Sequence, residues 1–355
     1  MTVIIAEAGV NHNGSRDLAF KLVDAAKAAG ADIVKFQTFK AKNLASRLAK
    51  QAEYQIENTQ KEEPQLAMLK KLELPYELHY ELVDYCNKIG IEFLSTAFDS
   101  ESLSFLVNDL GLKTLKLPSG EITNAPLILE HARTGCDIIL STGMATLAEV
   151  EDALGVIAFG LTKDKDVQPT SFAFKEAYAS VEGQSALREK ITILHCTTEY
   201  PAPMNEINLR AMDTLGSSFS LRAGYSDHSD GITIPIAAVA RGAVLIEKHF
   251  TLDKMMEGPD HKASLEPYEL SAMVEAIRNV ECALGSGVKL PTNSEVKNKV
   301  VARKSLVAMT NIAAGELFTI DNVTVKRPGT GISPFQYWDL LGERATKSYK
   351  QDEEI

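Results

Sequence analysis

The chain has 355 residues, 45% of them hydrophobic and 24% charged, which suits an ordinary globular protein with one large domain plus a smaller one, or two of moderate size. Its formal net charge of -11 repels nucleic acid and anionic lipid and excludes both as general partners, so an anionic ligand must be held by a local pocket of positive charge. The opening MTVIIAEAG has no signal-like features, the longest apolar region (234–246) is broken by Arg241, and Cys86, Cys136, Cys196 and Cys282 are scattered without C-x-x-C spacing, so no membrane span, reduced thiols and a cytoplasmic location are expected.

Short apolar, β-branched runs then recur along the chain with room for a helix between them. Residues 3–9 (VIIAEAG) open the series. In 15–30 (SRDLAFKLVDAAKAAG), Leu18, Leu22, Ala25, Ala26 and Ala29 keep helical spacing between a Ser15 N-cap and Gly30. Further strands are expected at 33–39, 91–98, 114–120, 137–144, 191–200, 219–228 and 243–252, with helices over 75–89, 147–159 and 267–284. Eight alternating β and α units point to an α/β fold, a closed parallel TIM (β/α)8 barrel over 1–284, with an open doubly wound sheet as the alternative. The polar stretch 162–190 exceeds an ordinary connection and reads as an insertion with helix of its own. After Leu284 the repeat stops: 285–298 reads as a linker and 299–355 as a compact module of short strands and turns.

Side chains alternate across a strand, so residues sharing a phase share a face. Val34 and Phe36 take the phase that packs on helices, which leaves Lys35 and Gln37 inside. The same logic turns Glu7, Lys116, Ser141 and His228 inward, and places Glu247 and His249 together opposite Val244, Ile246 and Phe250. In the sixth strand neither phase is cleanly polar. Burying several charges without partners would cost several kcal/mol each, so something must pair with them.

His228 and His249 taken singly read equally well as hydrogen-bonded rim histidines. Together, at the ends of adjacent strands and in one phase, they favour a metal pair, too few for a closed structural zinc site and suited to manganese, magnesium or cobalt. Lys35 and Lys116 read either as structural ion pairs with Glu7 and Glu121 or as a clamp on a dianion such as phosphate, helped by Thr96, Ser119 and Ser141. A Schiff-base nucleophile at Lys116 ranks lowest. His195 and Cys196 point to opposite faces and form no dyad, and GVNHNGS lacks the lysine and spacing of a P-loop.

The segments AEAGVNHNG, VKFQTFKA, KLPSGEITN, ILSTGMAT, HCTTEYPAP, GYSDH, IEKHFTLD, GPDHKASLEP and KRPGTGISP, in this order, resemble the sialic acid synthase family, the bacterial nonulosonate synthases. The resemblance covers nearly the whole chain. It implies a barrel followed by an antifreeze-like (SAF) domain, and a metal-dependent condensation of phosphoenolpyruvate with an N-acylated mannosamine and water. By motif it implies His228 and His249 as ligands of a divalent metal ion, manganese first and magnesium or cobalt as alternatives. Lys35, Thr96, Lys116, Ser119, Ser141 and Ser226 would hold phosphoenolpyruvate; Glu7, Gln37, Tyr200 and Asp260 would hold the open-chain sugar; Glu121 would transfer protons. It further implies a domain-swapped homodimer in which Arg327 completes the neighbouring protomer's site. Thr198 stands where some members carry asparagine, and Ala97 where proline is usual.

N-acetylmannosamine, giving N-acetylneuraminate, is the first expectation for the sugar. The alternative is 2,4-diacetamido-2,4,6-trideoxymannose, giving N,N'-diacetyllegionaminate, and a Schiff-base pyruvate lyase is a more distant one.

Overall fold

The computed structural model describes the backbone of residues 1–355 and every side chain except those of Tyr54 and Glu57. The chain divides into two compact units, Met1–Gly285 and Ser286–Ile355.

The first unit is a closed barrel of eight strands in sequence order. They are β1 (Val3–Gly9), β2 (Ile33–Thr38), β3 (Glu92–Ala97), β4 (Thr114–Leu117), β5 (Asp137–Ser141), β6 (Ile191–His195), β7 (Arg222–Asp227) and β8 (Leu245–His249). Each pairs in parallel with its neighbours, and β8 closes on β1. The TIM-type expectation holds, and the open sheet is excluded by that closure.

Helix α1 (Arg16–Ala28) follows β1, capped by Ser15 as its sequence foretells. After β2 come three short helices, α2 (Ala41–Leu44), α3 (Glu53–Thr59) and α4 (Gln65–Leu72), before the barrel helix α5 (Tyr76–Ile89). Then follow α6 (Ser100–Ser104), running into a π-helical turn at Phe105–Asp109, α7 (Ala125–Arg133) and α8 (Leu147–Thr162). The expected insertion is a pair of helices, α9 (Ser171–Ala179) and α10 (Val181–Lys190). Phe174 lies edge-on to Phe159 of α8, so the pair thickens the outer shell and does not reach over the mouth. Helices α11 (Arg210–Phe219), α12 (Thr233–Ala240) and α13 (Pro267–Leu284) complete the ring.

Most strands stop short of their predicted ends, because the chain turns at the barrel mouth. Ser119–Glu121 is a 3-10 turn and Met144 takes a left-handed φ of 64°. The expected start at 219 is corrected too: Phe219 ends α11, with Leu215 on the same buried helix face, and Ser220 is the left-handed cap.

Inside the barrel, Ile5, Ile33, Leu94, Ile139, Leu194 and Leu245 meet in one apolar layer. Two residues further along the strands, in the same phase, stand Glu7, Lys35, Thr96, Ser141, Cys196 and Glu247. An apolar plug thus lies directly beneath a polar floor. β7 contributes Gly224 at plug level, where a Cβ would come within 2.4 Å of Leu245 O and 2.7 Å of a Leu194 methyl. Only glycine lets β7 approach that closely.

The second unit contains α14 (Asn293–Ala302), lying across the segment expected as linker. It continues with an antiparallel pair, β9 (Ser305–Ala308) and β10 (Val323–Lys326), and a short helix, α15 (Tyr337–Leu340). Its own core gathers Leu306, Ala308, Ile312, Phe318, Val323, Ala345 and Tyr349.

Candidate active site

A cavity of about 240 Å³ opens at the carboxyl ends of the strands. Twelve of the fourteen site residues expected from the sequence line it: Glu7, Lys35, Gln37, Thr96, Lys116, Ser119, Ser141, Tyr200, Ser226, His228, His249 and Asp260. Two do not. Glu121 sits on the 3-10 turn after β4, where strand alternation no longer applies, and accepts a 2.7 Å hydrogen bond from Asn124 Nδ2. Arg327 belongs to the second unit, is exposed, and donates from Nε to Ala302 O at 3.0 Å.

The floor is a buried ionic network. Lys35 Nζ lies 2.6 Å from Glu7 Oε2 and 3.6 Å from Glu247 Oε2, and donates to Thr96 Oγ1 at 3.0 Å. Lys116 Nζ lies 3.3 Å from Glu247 Oε1, which also accepts from Ser226 Oγ at 3.0 Å. Gln37 Nε2 donates to Glu7 Oε1 at 3.3 Å. Glu247 is thus the carboxylate shared by both ammonium groups. Its strand phase placed it inside, but sequence assigned it no role. The ion-pair alternative for Lys116 holds, with Glu247 as partner rather than Glu121.

Electrostatics separates the two carboxyls. Burial works against ionisation of Glu247, but Lys116 and Lys35 outweigh it and hold its pKa down at about 2. Burial dominates at Glu7 and pushes it up to about 7; Lys35 offsets this only in part, and the Glu247 charge adds to the upward push. For Lys35, burial disfavours the ammonium, yet Glu247 and Glu7 more than compensate and raise its pKa. Burial alone lifts the carboxyl of Asp260, which lines the same cavity, to about 6.

The two histidines converge, with ring centroids 5.7 Å apart. His228 Nδ1 donates to Thr197 O at 2.6 Å, which fixes the tautomer and leaves a lone pair on Nε2, 3.1 Å from the Tyr200 hydroxyl. His249 Nδ1 is buried without a hydrogen-bond partner among the described residues. Burial drives the pKa of His228 down to about 4 and that of His249 well below the usual value. Both rings are therefore neutral at physiological pH, the form that binds metals. Among the described residues no third His, Cys, Asp or Glu joins them in a metal-binding group. The donor set fits a cation that keeps open positions for water or substrate.

The outer face of the same strands explains the aspartates around His228. Lys248, fully buried and in the opposite phase to Glu247 and His249, pairs with Asp227 Oδ2 at 2.6 Å and also donates to Ser229 O. Asp227 in turn accepts from Ser229 N and Oγ, both at 3.0 Å. The turn that carries His228 is pinned from behind by this buried pair.

Two polar atoms in or beside the cavity, Ser141 Oγ and Thr198 Oγ1, are buried without a hydrogen-bond partner among the described residues. A buried hydroxyl left without a partner costs about 1–3 kcal/mol, so a ligand that engages these atoms recovers that loss.

Comparison with known proteins accords with this geometry. Residues 22–289 match the NeuB family and 303–353 the SAF domain. An N,N'-diacetyllegionaminic acid synthase of Campylobacter jejuni is 52% identical, over 100% of this chain and 98% of that protein. A second protein of that name, from Legionella pneumophila, is 44% identical over 96% of this chain and 89% of its own length. The crystal structure of an N-acetylneuraminic acid synthetase from Leptospira borgpetersenii superposes with a TM-score of 0.66 at 32% identity, covering 84% of this chain and 90% of that one. With a barrel whose polar floor suits an anion and with matches along its whole length, the chain belongs to the NeuB family of sialic acid synthases, enzymes that condense phosphoenolpyruvate with a sugar.

Proposed function

We propose that this enzyme is an N,N'-diacetyllegionaminic acid synthase, joining phosphoenolpyruvate to 2,4-diacetamido-2,4,6-trideoxymannose with water and releasing phosphate. The observation that carries this reading is the whole-length identity to the Campylobacter relative of that name. N-acetylmannosamine, the first expectation from sequence, gives way to the alternative because the N-acetylneuraminic acid synthetase matches at much lower identity.

In this reading Lys35 and Lys116 receive the phosphate and carboxylate of phosphoenolpyruvate, exchanging part of their pairing with Glu7 and Glu247 for the incoming anion. Thr96, Ser119, Ser141 and Ser226 supply hydroxyls around it, and Ser141 gains its missing partner. Gln37, Tyr200 and Asp260 orient the open-chain sugar. C3 of phosphoenolpyruvate forms the new bond to the aldehyde carbon, whose oxygen takes up a proton. Water then adds at C2 and loses one proton, giving a tetrahedral C2 that carries both hydroxyl and phosphate; its C–O bond to phosphate breaks as C2=O forms, and the hydroxyl proton passes to the departing phosphate. Glu7, poised near neutrality and inside the cavity, is better placed for these proton transfers than Glu121, which does not line it. A divalent cation, with manganese favoured, would be held by His228 and His249 and would supply Lewis-acid polarisation of the aldehyde.

The swapped homodimer is part of the proposal. In its support, α14 has no buried residue, Val296, Val300 and Val301 are exposed along it, and Arg327 is exposed and available to a second copy. No helix among the described residues is long and apolar enough to cross a membrane, in accord with a cytoplasmic setting.

Phosphate release, measured with phosphoenolpyruvate and each sugar in turn, tests the assignment. The diacetamido-trideoxy sugar should give the higher kcat/KM, and a higher value for N-acetylmannosamine would overturn the reading. Borohydride added with pyruvate should trap no adduct on Lys116; trapping would restore the lyase alternative.

A further inference from the structure

The long segment between β2 and α5 gives this cavity a second surface, unlike its floor. Phe39, Leu44, Met68, Leu69, Leu72 and Phe98 all line the cavity. Phe39, Met68 and Leu72 form one buried apolar group with Val10, against which Leu44, Leu69 and Phe98 pack. All six lie beyond the strand ends, whereas Lys35, Thr96, Lys116 and Ser141 lie within strands. The cavity is therefore polar in its depth and apolar along one side of its mouth.

This wall is held in place from several directions. Gln51 Nε2 contacts Met68 Sδ at 3.3 Å, and its Oε1 accepts from Glu63 N at 2.8 Å. Asn58 Nδ2 donates to Pro259 O at 2.7 Å, and Lys61 pairs with Glu257, which ties the segment to the loop bearing Asp260. Ala41 N donates to Glu73 Oε1 at 2.6 Å, closing the base of the segment. A rigid apolar surface facing a sugar is unusual unless the sugar carries apolar groups, because a hydroxyl pressed against leucine and methionine loses its hydrogen bonds to water.

We propose that the segment between β2 and α5 selects the sugar, its wall of Leu44, Met68, Leu69 and Leu72 receiving the methyl-bearing end of a deoxy, acetamido sugar. This rests on the proposed function for the reaction, since the aldehyde end must lie over the deep anion floor and the remaining carbons must then extend toward the mouth. It goes further in assigning the discrimination between a C6 methyl and a C6 hydroxymethyl to four residues on two short helices, α2 and α4. Gln55, Gln37 and Asp260 line the same cavity and present polar groups to the hydroxyls and amides.

The test compares kcat/KM for two sugars that differ only at C6, 2-acetamido-2,6-dideoxymannose and N-acetylmannosamine, in the full-length enzyme with phosphoenolpyruvate and manganese. One methyl against an apolar surface is worth roughly 10- to 100-fold in such a ratio. The wild-type enzyme should prefer the deoxy sugar by about that factor. Leu69→Asn and Leu44→Asn, at half-buried positions, should each collapse the ratio about tenfold or more, while Leu69→Met preserves it. A wild-type ratio near one overturns the proposal, and so does a variant in which both sugars decline together, as loss of folding would produce. The outcome is separable from the broader assignment. If N-acetylmannosamine outperforms the diacetamido-trideoxy sugar, the proposed function fails, yet the C6 pair still reports whether the wall discriminates.

Discussion

Lys116 Nζ and Glu247 Oε1 lie 3.3 Å apart at the bottom of the cavity, and the same Glu247 carboxylate reaches Lys35 through its other oxygen. One anion thus compensates two buried cations, and removing it should have two opposite effects. Glu247→Gln leaves an uncompensated positive charge and should destabilise the free enzyme by about 3–5 kcal/mol. The same change should increase the stabilisation conferred by added inorganic phosphate. Thermal melts with and without phosphate check both halves; equal phosphate shifts in variant and wild type would contradict the anion-floor reading.

Asp260 offers a case in which a site residue works against stability. Its carboxyl titrates near 6 when folded, against an ordinary 3.8, because burial disfavours the charge. Below the ordinary value both states are protonated and nothing is lost. As pH rises from about 4 to about 6 the unfolded chain ionises first, so stability falls, by about 3 kcal/mol at most, and then levels off. Asp260→Asn should therefore melt higher than wild type at pH 7–8, with the difference vanishing near pH 4, and should raise KM for the sugar. An unchanged melting profile would mean that the folded carboxyl titrates normally.

Behind the site, Lys248→Met would strand the Asp227 carboxylate in a dry interior at a cost of about 3–5 kcal/mol. Adding Asp227→Asn should recover much of that loss, and a double-mutant cycle by denaturant unfolding measures the coupling. Strictly additive losses would show that the pair does not support the turn carrying His228.

For the two imidazoles, His228→Ala and His249→Ala should abolish turnover while the fold persists. Manganese added to chelator-treated wild type should raise its melting temperature, by the equivalent of about 2.7 kcal/mol at a hundredfold excess over Kd, and neither variant should respond. Near-wild-type activity of His228→Ala in chelated buffer would remove the metal from the mechanism.

Much of this site was legible because β-strand alternation is unforgiving. Once Val34 and Phe36 are committed to the helices, Lys35 has nowhere to point but inward, and the same holds for Lys116 between Leu115 and Leu117. Phase says nothing about which charges meet across a barrel, so Glu247 was placed on the right face and its two partners were not foreseen. Glu121 was assigned from its motif and not from phase: past the end of β4 the backbone is a 3-10 turn, where the pleat says nothing about side-chain direction. The helices after β2 were missed because runs of four to eight residues are too short to show a period. The available signal was length, since residues 39–75 are far more chain than one crossover loop requires.

The apolar plug has a kinetic meaning. A barrel sealed at its base has a single doorway, so the guest that belongs at the bottom must arrive before the one that belongs at the threshold and must depart after it. On this geometry phosphoenolpyruvate should precede the sugar, and phosphate should be the last product out. An unreactive sugar analogue should behave as an uncompetitive inhibitor toward phosphoenolpyruvate, and a competitive pattern would mean that the two guests do not queue.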